Sequence, residues 1–236
     1  MQLPPLTRGR ILSRYKRFFA DVALDDGSVI TAHCPNTGRM TGCWQPDAPA
    51  EISFSDNPKR KLPWTLERVD MGQGWVGVNT ARTNAVVAES LEAGWIPPLA
   101  GYPQIRREVK FDIPGHNGSS RLDFMLAGAK QPDVLIEVKN VTLWEAGCLR
   151  FPDAVSVRAR KHLDGLLWAV EQGMRGVILF ALNRSEGECF APADEIDPLY
   201  AKRLAEVIER GVEAYALRIN HTDDGMLARG LVPVRP

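Results

Sequence analysis

The chain has 236 residues, room for one large or two small domains. Hydrophobic residues make up 44% and charged residues 25%, values that exclude a disordered or fibrous chain. With 29 basic and 29 acidic residues the formal net charge is zero, so any surface for a polyanion must be a local one.

The N-terminal stretch MQLPPLTRGR has no apolar signal core, and no run reaches transmembrane length. Four cysteines, Cys34, Cys43, Cys148 and Cys189, show no zinc spacing. They are expected as buried, reduced thiols of a cytoplasmic protein without a membrane partner.

Residues 1–80 form the first expected domain, a small β-barrel. Residues 10–24 are expected as one long bent strand, and 29–33, 51–55, 63–70 and 75–79 as further short strands. Five short strands broken by turns suggest an OB-like barrel, a frequent binder of nucleic acids and sugars. Arg8, Arg10, Arg14, Lys16 and Arg17 crowd its start without an intervening acid, and Lys59, Arg60 and Lys61 form a second cluster. Both clusters suit phosphate contact, and Tyr15, Phe18, Phe19, Trp44 and Trp64 suit base stacking. Barrel core and a solvated face account for the same residues equally well. His33 is expected as a hydrogen-bonded structural residue rather than a metal ligand.

Residues 81–236 form the second expected domain, of α/β type. Asn84 is placed as the cap of a helix over 85–93, stopped by Gly94. A strand over 108–113 and a turn over 114–118 lead into the stretch on which the functional reading turns. Two strand-like runs, 121–126 and 133–139, are joined by a turn containing Gly and Pro. Period-two alternation puts Leu122, Phe124 and Leu126 on one face, and Val134, Ile136 and Val138 on one face of the second run. Asp123, Glu137 and Lys139 then project together to the other side. Two carboxylates offer hard oxygen ligands for Mg²⁺ or Mn²⁺, and a neighbouring amine can steady a phosphoryl oxyanion. A solvated strand face is the bland alternative. An apolar run tolerates charges only when they are paired or bound, which weighs against it.

A helix is expected over 154–172, with Arg158, Lys161 and His162 at three- and four-residue spacing, within reach of a phosphate beside the metal site. Arg160 reads as part of a solvated basic face. A buried strand over 177–182, parallel to 133–139, a helix over 199–210 and a strand over 213–219 follow. Residues 221–236 are expected as an extended tail. The order α-β-β-β-α-β-α-β and the Asp123…Glu137-x-Lys139 pattern resemble the PD-(D/E)xK nuclease core, although Leu122 stands where the literal motif has Pro.

The whole chain resembles the sugar fermentation stimulation protein A family. The stretches that carry the likeness are AHCPNTGRM (32–40), SRLDFML (120–126), IEVKNVTL (136–143), FPDAVSVRARKHL (151–163) and VILFALN (177–183). The resemblance implies a two-domain architecture, OB-like then mixed-sheet PD-(D/E)xK nuclease-like, and binding to DNA without strong sequence preference. It also implies a link to sugar (maltose) metabolism. Carried over by residue, it implies Asp123, Glu137 and Lys139 as active-site groups, with Glu89 as a fourth group and third metal ligand beside Asp123 and Glu137. The expectation is therefore a DNA-binding protein with a nuclease-like Mg or Mn site, and a homodimer as candidate assembly. The alternatives are an active metal-dependent nuclease and a barrel that binds sugars or other small ligands.

Overall fold

The computed structural model describes residues 1–111, 120–186 and 188–235. The expected turn over 114–118 and the end of the strand before it lie outside those residues.

Six strands build the N-terminal domain: β1 (Leu6–Tyr15), β2 (Phe19–Leu24), β3 (Val29–His33), β4 (Pro49–Phe54), β5 (Trp64–Asp70) and β6 (Trp75–Gly77). Their order is β3-β2-β1-β4-β5-β6, and a β3–β5 pairing at His33 and Thr65 closes the first five into the OB-like barrel. Ile11, Val22, Ala32, Ile52, Leu66 and Val69 fill it, each fully buried. The expected long strand over 10–24 is instead a hairpin. Lys16 and Arg17 both take positive φ, 49° and 64°, and reverse the chain. Neither is a residue type that announces a left-handed turn.

The second domain contains α1 (Thr80–Glu92), β7 (Gln104–Phe111), β8 (Ser120–Ala127), β9 (Val134–Val141), β10 (Leu143–Glu145), β11 (Cys148–Phe151), α2 (Val157–Glu171), β12 (Arg175–Leu182), β13 (Phe190–Pro192), α3 (Pro198–Glu209), β14 (Glu213–His221) and β15 (Met226–Val232). A six-stranded mixed sheet in the order β15-β14-β12-β9-β8-β7 forms its centre. β9, β12 and β14 run parallel, as the crossovers through α2 and α3 require. One face packs on α1 through Val86, Val87 and Leu91. The other packs on α2 and α3 through Leu163, Leu166, Tyr200 and Leu204. The expected extended tail is in part β15, an edge strand antiparallel to β14. Its residues Leu227, Ala228 and Arg229 alternate too weakly for the sequence to announce it.

A third, small sheet, β10-β11-β13, brings Cys148 and Cys189 together as a disulfide, with Cα atoms 4.8 Å apart. The expectation of four reduced thiols fails for this pair, because the parallel pairing of β11 with β13 joins segments 41 residues apart. Cys34 and Cys43 are free and buried. Among the described residues no helix is long and apolar enough to cross a membrane.

Buried ion pairs set the domains against each other. Glu67 on β5 accepts from Ser53 Oγ (2.7 Å), Asn79 Nδ2 (2.9 Å) and Arg82 Nε and Nη2 (3.1 and 2.7 Å). Asn79 is the N-cap of α1 and Arg82 lies in its first turn, so a barrel carboxylate fixes where that helix begins. Arg68, 1% exposed, donates to Glu51 Oε2 on β4 and to the carbonyls of Thr222 and Asp223 beyond β14.

Candidate active site

Asp123, Glu137 and Lys139 line one pocket of about 250 Å³, together with Thr80, Thr83 and Asn84 of α1 and Arg158 and His162 of α2. The pocket opens where the sheet comes apart. The β8–β9 ladder ends at Phe124 and Ile136, one step before Asp123 would meet Glu137. On its other side β8 keeps register with β7 but skips the step joining Glu108 and Asp123, and Glu108 has φ 52°. That irregularity overturns the simple alternation expected for β8. Phe124 and Leu126 pack on the α1 side, whereas Leu122 packs on the α2 side. Freed from the ladder, the Asp123 carboxylate does the work of a main-chain acceptor: Oδ2 takes the Val138 N–H at 2.7 Å. Oδ1 takes Asn84 Nδ2, also at 2.7 Å.

Asn84 was expected as a helix cap and is not one. α1 begins five residues earlier than expected, capped by Asn79, and Asn84 is a residue of its second turn turned onto Asp123. Glu89 is not part of the pocket either. It is half exposed and paired with the terminal amine of Met1. A single helix cannot present Asn84 and Glu89, five positions apart, on one face.

Both contacts of the Glu137 carboxylate fall on Oε1. Lys139 Nζ donates to it at 2.5 Å, and His162 Nδ1 makes a short contact with it. Lys139 Nζ also lies 3.1 Å from His162 Nδ1, and Arg158 Nε 3.4 Å from His162 Nε2. Oε2 of Glu137 has no hydrogen bond among the described residues. Burial pushes the Glu137 carboxyl up, but the His162 hydrogen bond and the Lys139 charge outweigh it and hold it below the usual range. Asp123 goes the other way: burial raises it first, and the Glu137 charge second. Two carboxylates whose acidities are driven apart at one pocket are the mark of a site built around charge.

Would a divalent ion fit? The donor set is hard oxygen, Glu137 Oε2 is free, and the repulsion from Glu137 that lifts Asp123 is one that a cation would relieve. Among the described residues no three of His, Cys, Asp and Glu gather as a complete ligand set, so a cation here would keep most of its waters. That pattern suits Mg²⁺ or Mn²⁺ better than Zn²⁺.

The basic residues divide. Arg158 lines the pocket, whereas Lys161 is exposed outside it. Arg160 is no solvated charge: its Nη1 holds both oxygens of Asp197, the α3 cap, at 2.8 and 2.9 Å. Arg14 spends its guanidinium on the carbonyls of Arg17, Asn36 and Gly38. Arg8 pairs with the buried Glu51 and Arg10 with the exposed Asp47, and both arginines are largely exposed. Lys16 and Arg17 sit in the β1–β2 turn, Lys59, Arg60 and Lys61 in the β4–β5 connection, at one end of the barrel. A cleft of about 300 Å³ there is lined by Phe19, His33, Arg60, Lys61 and Leu62. His33 makes no side-chain hydrogen bond among the described residues, contrary to expectation, and burial with the Arg60 charge lowers its pKa.

Three site residues escaped the sequence. The three- and four-residue spacing puts His162 on a phosphate-binding face, and the structure puts it on Glu137. Asn84 was assigned to a cap. Arg107 on β7 donates to the Asn84 carbonyl at 3.0 Å and lies over the Phe124 ring. The Arg106-Arg107 pair beside the hairpin was the only signal for it.

An OB-like barrel joined to a mixed-sheet α/β domain, with a carboxylate–lysine pocket where the central strands part, defines the class of protein. Two family models match and divide the chain. The "SfsA N-terminal OB domain" matches residues 12–78 and the "Sugar fermentation stimulation protein RE domain" residues 81–225. The chain belongs to the sugar fermentation stimulation protein family. It is 49% identical over 225 residues to the family homologue of Acidithiobacillus ferrooxidans, covering 95% of each chain. It is 47% identical over 235 residues to that of Geobacter sulfurreducens, covering 99% of this chain and 98% of the relative. Among solved structures, Pyrococcus furiosus SfsA in complex with Ca²⁺ superposes with a TM-score of 0.89 at 26% identity, covering 100% of this chain and 98% of that one.

Proposed function

We propose that this protein binds DNA and seats one backbone phosphate at the Asp123–Glu137–Lys139 pocket, where Mg²⁺ or Mn²⁺ is the cofactor. The observation that carries the reading is the meeting of those three side chains in one cleft, at a point where the sheet gives up its ladder to make room. The Pyrococcus relative's complex with Ca²⁺ supports a divalent cation. The basic turn and connection at one end of the barrel support a phosphate backbone as partner. A role in sugar metabolism, which the family's name carries, would be exerted through that DNA binding.

Asp123 and Glu137 would hold the cation, which supplies charge stabilisation at the phosphoryl oxygen and an acidified water. Asn84 and the Val138 N–H fix the Asp123 carboxylate, so its remaining lone pairs point one way. Lys139 and His162 keep Glu137 ionised. The Lys139 ammonium is also the group that steadies charge on a non-bridging phosphoryl oxygen. Arg158, at the pocket rim, holds a neighbouring phosphate.

The test is direct. Purified protein is incubated with end-labelled single- and double-stranded DNA, with Mg²⁺, Mn²⁺ or EDTA, and binding is measured across a salt series. The reading expects binding that falls steeply with salt, and metal-dependent cutting abolished by Lys139→Ala. Salt-insensitive or absent binding ends it. Binding without cutting under either metal reduces it to the second reading, a DNA-binding regulator. The closed Lys139–Glu137–His162 contact, which already satisfies Glu137 Oε1, favours that second reading.

A further inference from the structure

Asn140 follows Lys139 in β9, and both line the Asp123–Glu137 pocket. Successive residues of a strand point to opposite faces. Lys139 meets His162 of α2, whereas Asn140 meets Thr83 of α1. The pocket therefore has an ammonium on its α2 side and a carboxamide on its α1 side. A carboxamide can offer a pocket either its carbonyl oxygen or its N–H groups. The two suit different guests: the oxygen a divalent cation, the N–H an anion.

The surrounding hydrogen bonds decide between them. Asn140 Oδ1 accepts from Thr83 Oγ1 at 2.8 Å and from Asn183 Nδ2 at 3.0 Å, which occupies both lone pairs. Asn183, fully buried, stands just after β12, and its Oδ1 lies 2.8 Å from His221 Nε2. Burial keeps His221 neutral, with a single ring proton. The other ring nitrogen, Nδ1, is buried and has no partner among the described residues. A proton on Nδ1 would be a buried donor without an acceptor, the rarer and costlier orphan, so it sits on Nε2 and is donated to Asn183. The direction of the whole chain follows. His221 donates to Asn183, Asn183 donates to Asn140, and Asn140 is left with N–H groups for the pocket.

The barrel locks the middle link. The Asn183 carbonyl accepts the Gly77 N–H of β6 at 3.0 Å, and the Asn183 N–H goes to the Val141 carbonyl at 2.9 Å. A Cβ on Gly77 would stand 2.2 Å from Asn183 Oδ1, so only glycine lets the amide lie there. We propose that Asn140 is a phosphate ligand, its amide N–H binding a non-bridging oxygen of the phosphate seated at Asp123 and Glu137. Asn183 and His221 are positioning residues: neither touches substrate, and together they fix which end of the Asn140 amide faces the pocket. The inference rests on the DNA reading above and adds how the pocket favours a phosphate over a second cation. With its carboxamide turned over, Asn140 would be a third oxygen ligand beside the two carboxylates.

The experiment uses the full chain and two isosteric variants, Asn140→Asp and Asn183→Asp, each checked by thermal melting. Asn140→Asp keeps acceptor oxygens for Thr83 and Asn183 and deletes the donor. Asn183→Asp lies outside the pocket, still accepts from His221 and can no longer donate, so Asn140 must turn its N–H groups away and its carbonyl into the pocket. DNA affinity is read by fluorescence anisotropy with Ca²⁺ present, and cation affinity by the Ca²⁺-induced melting shift without DNA. Both variants are expected to bind DNA about tenfold more weakly, the lower part of the range for a hydrogen bond to a charged acceptor, and to show a larger Ca²⁺ shift than wild type. Loss of DNA and cation affinity together, as a damaged fold would give, overturns the proposal, and so does DNA affinity within about twofold of wild type. Imidazole nitrogen NMR of the wild-type chain needs neither variant to fold. It should find the His221 proton on Nε2; a proton on Nδ1 reverses the chain and overturns the proposal. Absent or salt-insensitive DNA binding by wild type ends the DNA reading itself, and the Asn140 role with it.

Discussion

Replacing Asp123 and Glu137 one at a time should separate their two roles, because the structure loads them differently. Glu137 is 6% and Lys139 11% exposed at the side chain, and they meet at 2.5 Å with His162 on the same oxygen. Glu137→Gln leaves the Lys139 ammonium without its bonded counter-charge, and breaking a buried pair from one side costs about 3 kcal/mol or more. Asp123→Asn loses one of two accepted hydrogen bonds, about 1 kcal/mol, and gains relief from the Glu137 charge that burial amplifies. Without cation, Asp123→Asn should therefore melt close to wild type and Glu137→Gln well below it. At 2–4 °C per kcal/mol for a chain of this size, the gap is about 6–12 °C. With Mn²⁺ or Ca²⁺ the ordering should change. A ligand at 100 times its dissociation constant adds about 2.7 kcal/mol, so wild type should rise by about 5–10 °C and neither variant should rise. The assay is differential scanning calorimetry with and without the ion. A wild-type-sized cation shift in either variant would place the ion elsewhere and refute the reasoning, as would apo melting points that fall equally.

Three further outcomes are expected. Glu67→Ala strips Asn79 and Arg82 of their partner and should cost about 3–5 kcal/mol by urea unfolding; because it frees the start of α1, DNA affinity should fall with it, whereas Glu67→Gln, which keeps one acceptor oxygen but not the charge that Arg82 meets, should lose less of both. His221 is lowered to about 4 by burial and then by the Arg68 charge, so it is neutral in the fold. Its contribution is whole above pH 6.5 and is lost as pH falls from 6.5 towards 4, about 3 kcal/mol in all; His221→Gln should flatten that part of a stability–pH curve. Cys148→Ser opens a loop of 41 residues and should lower stability by about 4 kcal/mol, matched by reductant on wild type and absent from reductant on the variant.

The hairpin and its three ionisable groups were legible because alternation is a local property of the chain, and so was the barrel's strand count to within one. What the sequence concealed was everything set by distant partners. Asn84 looks like a cap because an Asn before an apolar run usually is one; the cap is Asn79, and Glu67 on a barrel strand decides it. Arg160 looks like a surface charge until α3 brings Asp197 to it. Glu89 was carried over from a fold-level likeness, and the helix turns it to the chain terminus instead. The disulfide had no spacing signature, since β11 and β13 become neighbours only in the third sheet. Leu122 defeated the alternation rule because β8 changes face at Asp123, the position that also ends the ladder to β9.

That last coincidence explains why the pocket lies where it does. A parallel strand in a sheet covered on both faces leaves no space for water, a cation or a phosphate. Here the sheet opens at one step, and the groups on either side of the opening come from different layers: Asn84 from α1, His162 and Arg158 from α2. The barrel fixes the α1 layer through Glu67 and, through the loop that Arg14 holds, supplies Asn36 to a smaller cleft that shares Thr80 and Asn140 with the pocket. The N-terminal domain is thus a part of the pocket's construction as well as a neighbouring binding surface. A second domain expressed alone would keep its carboxylates and lose the helix register that aims Asn84 at Asp123.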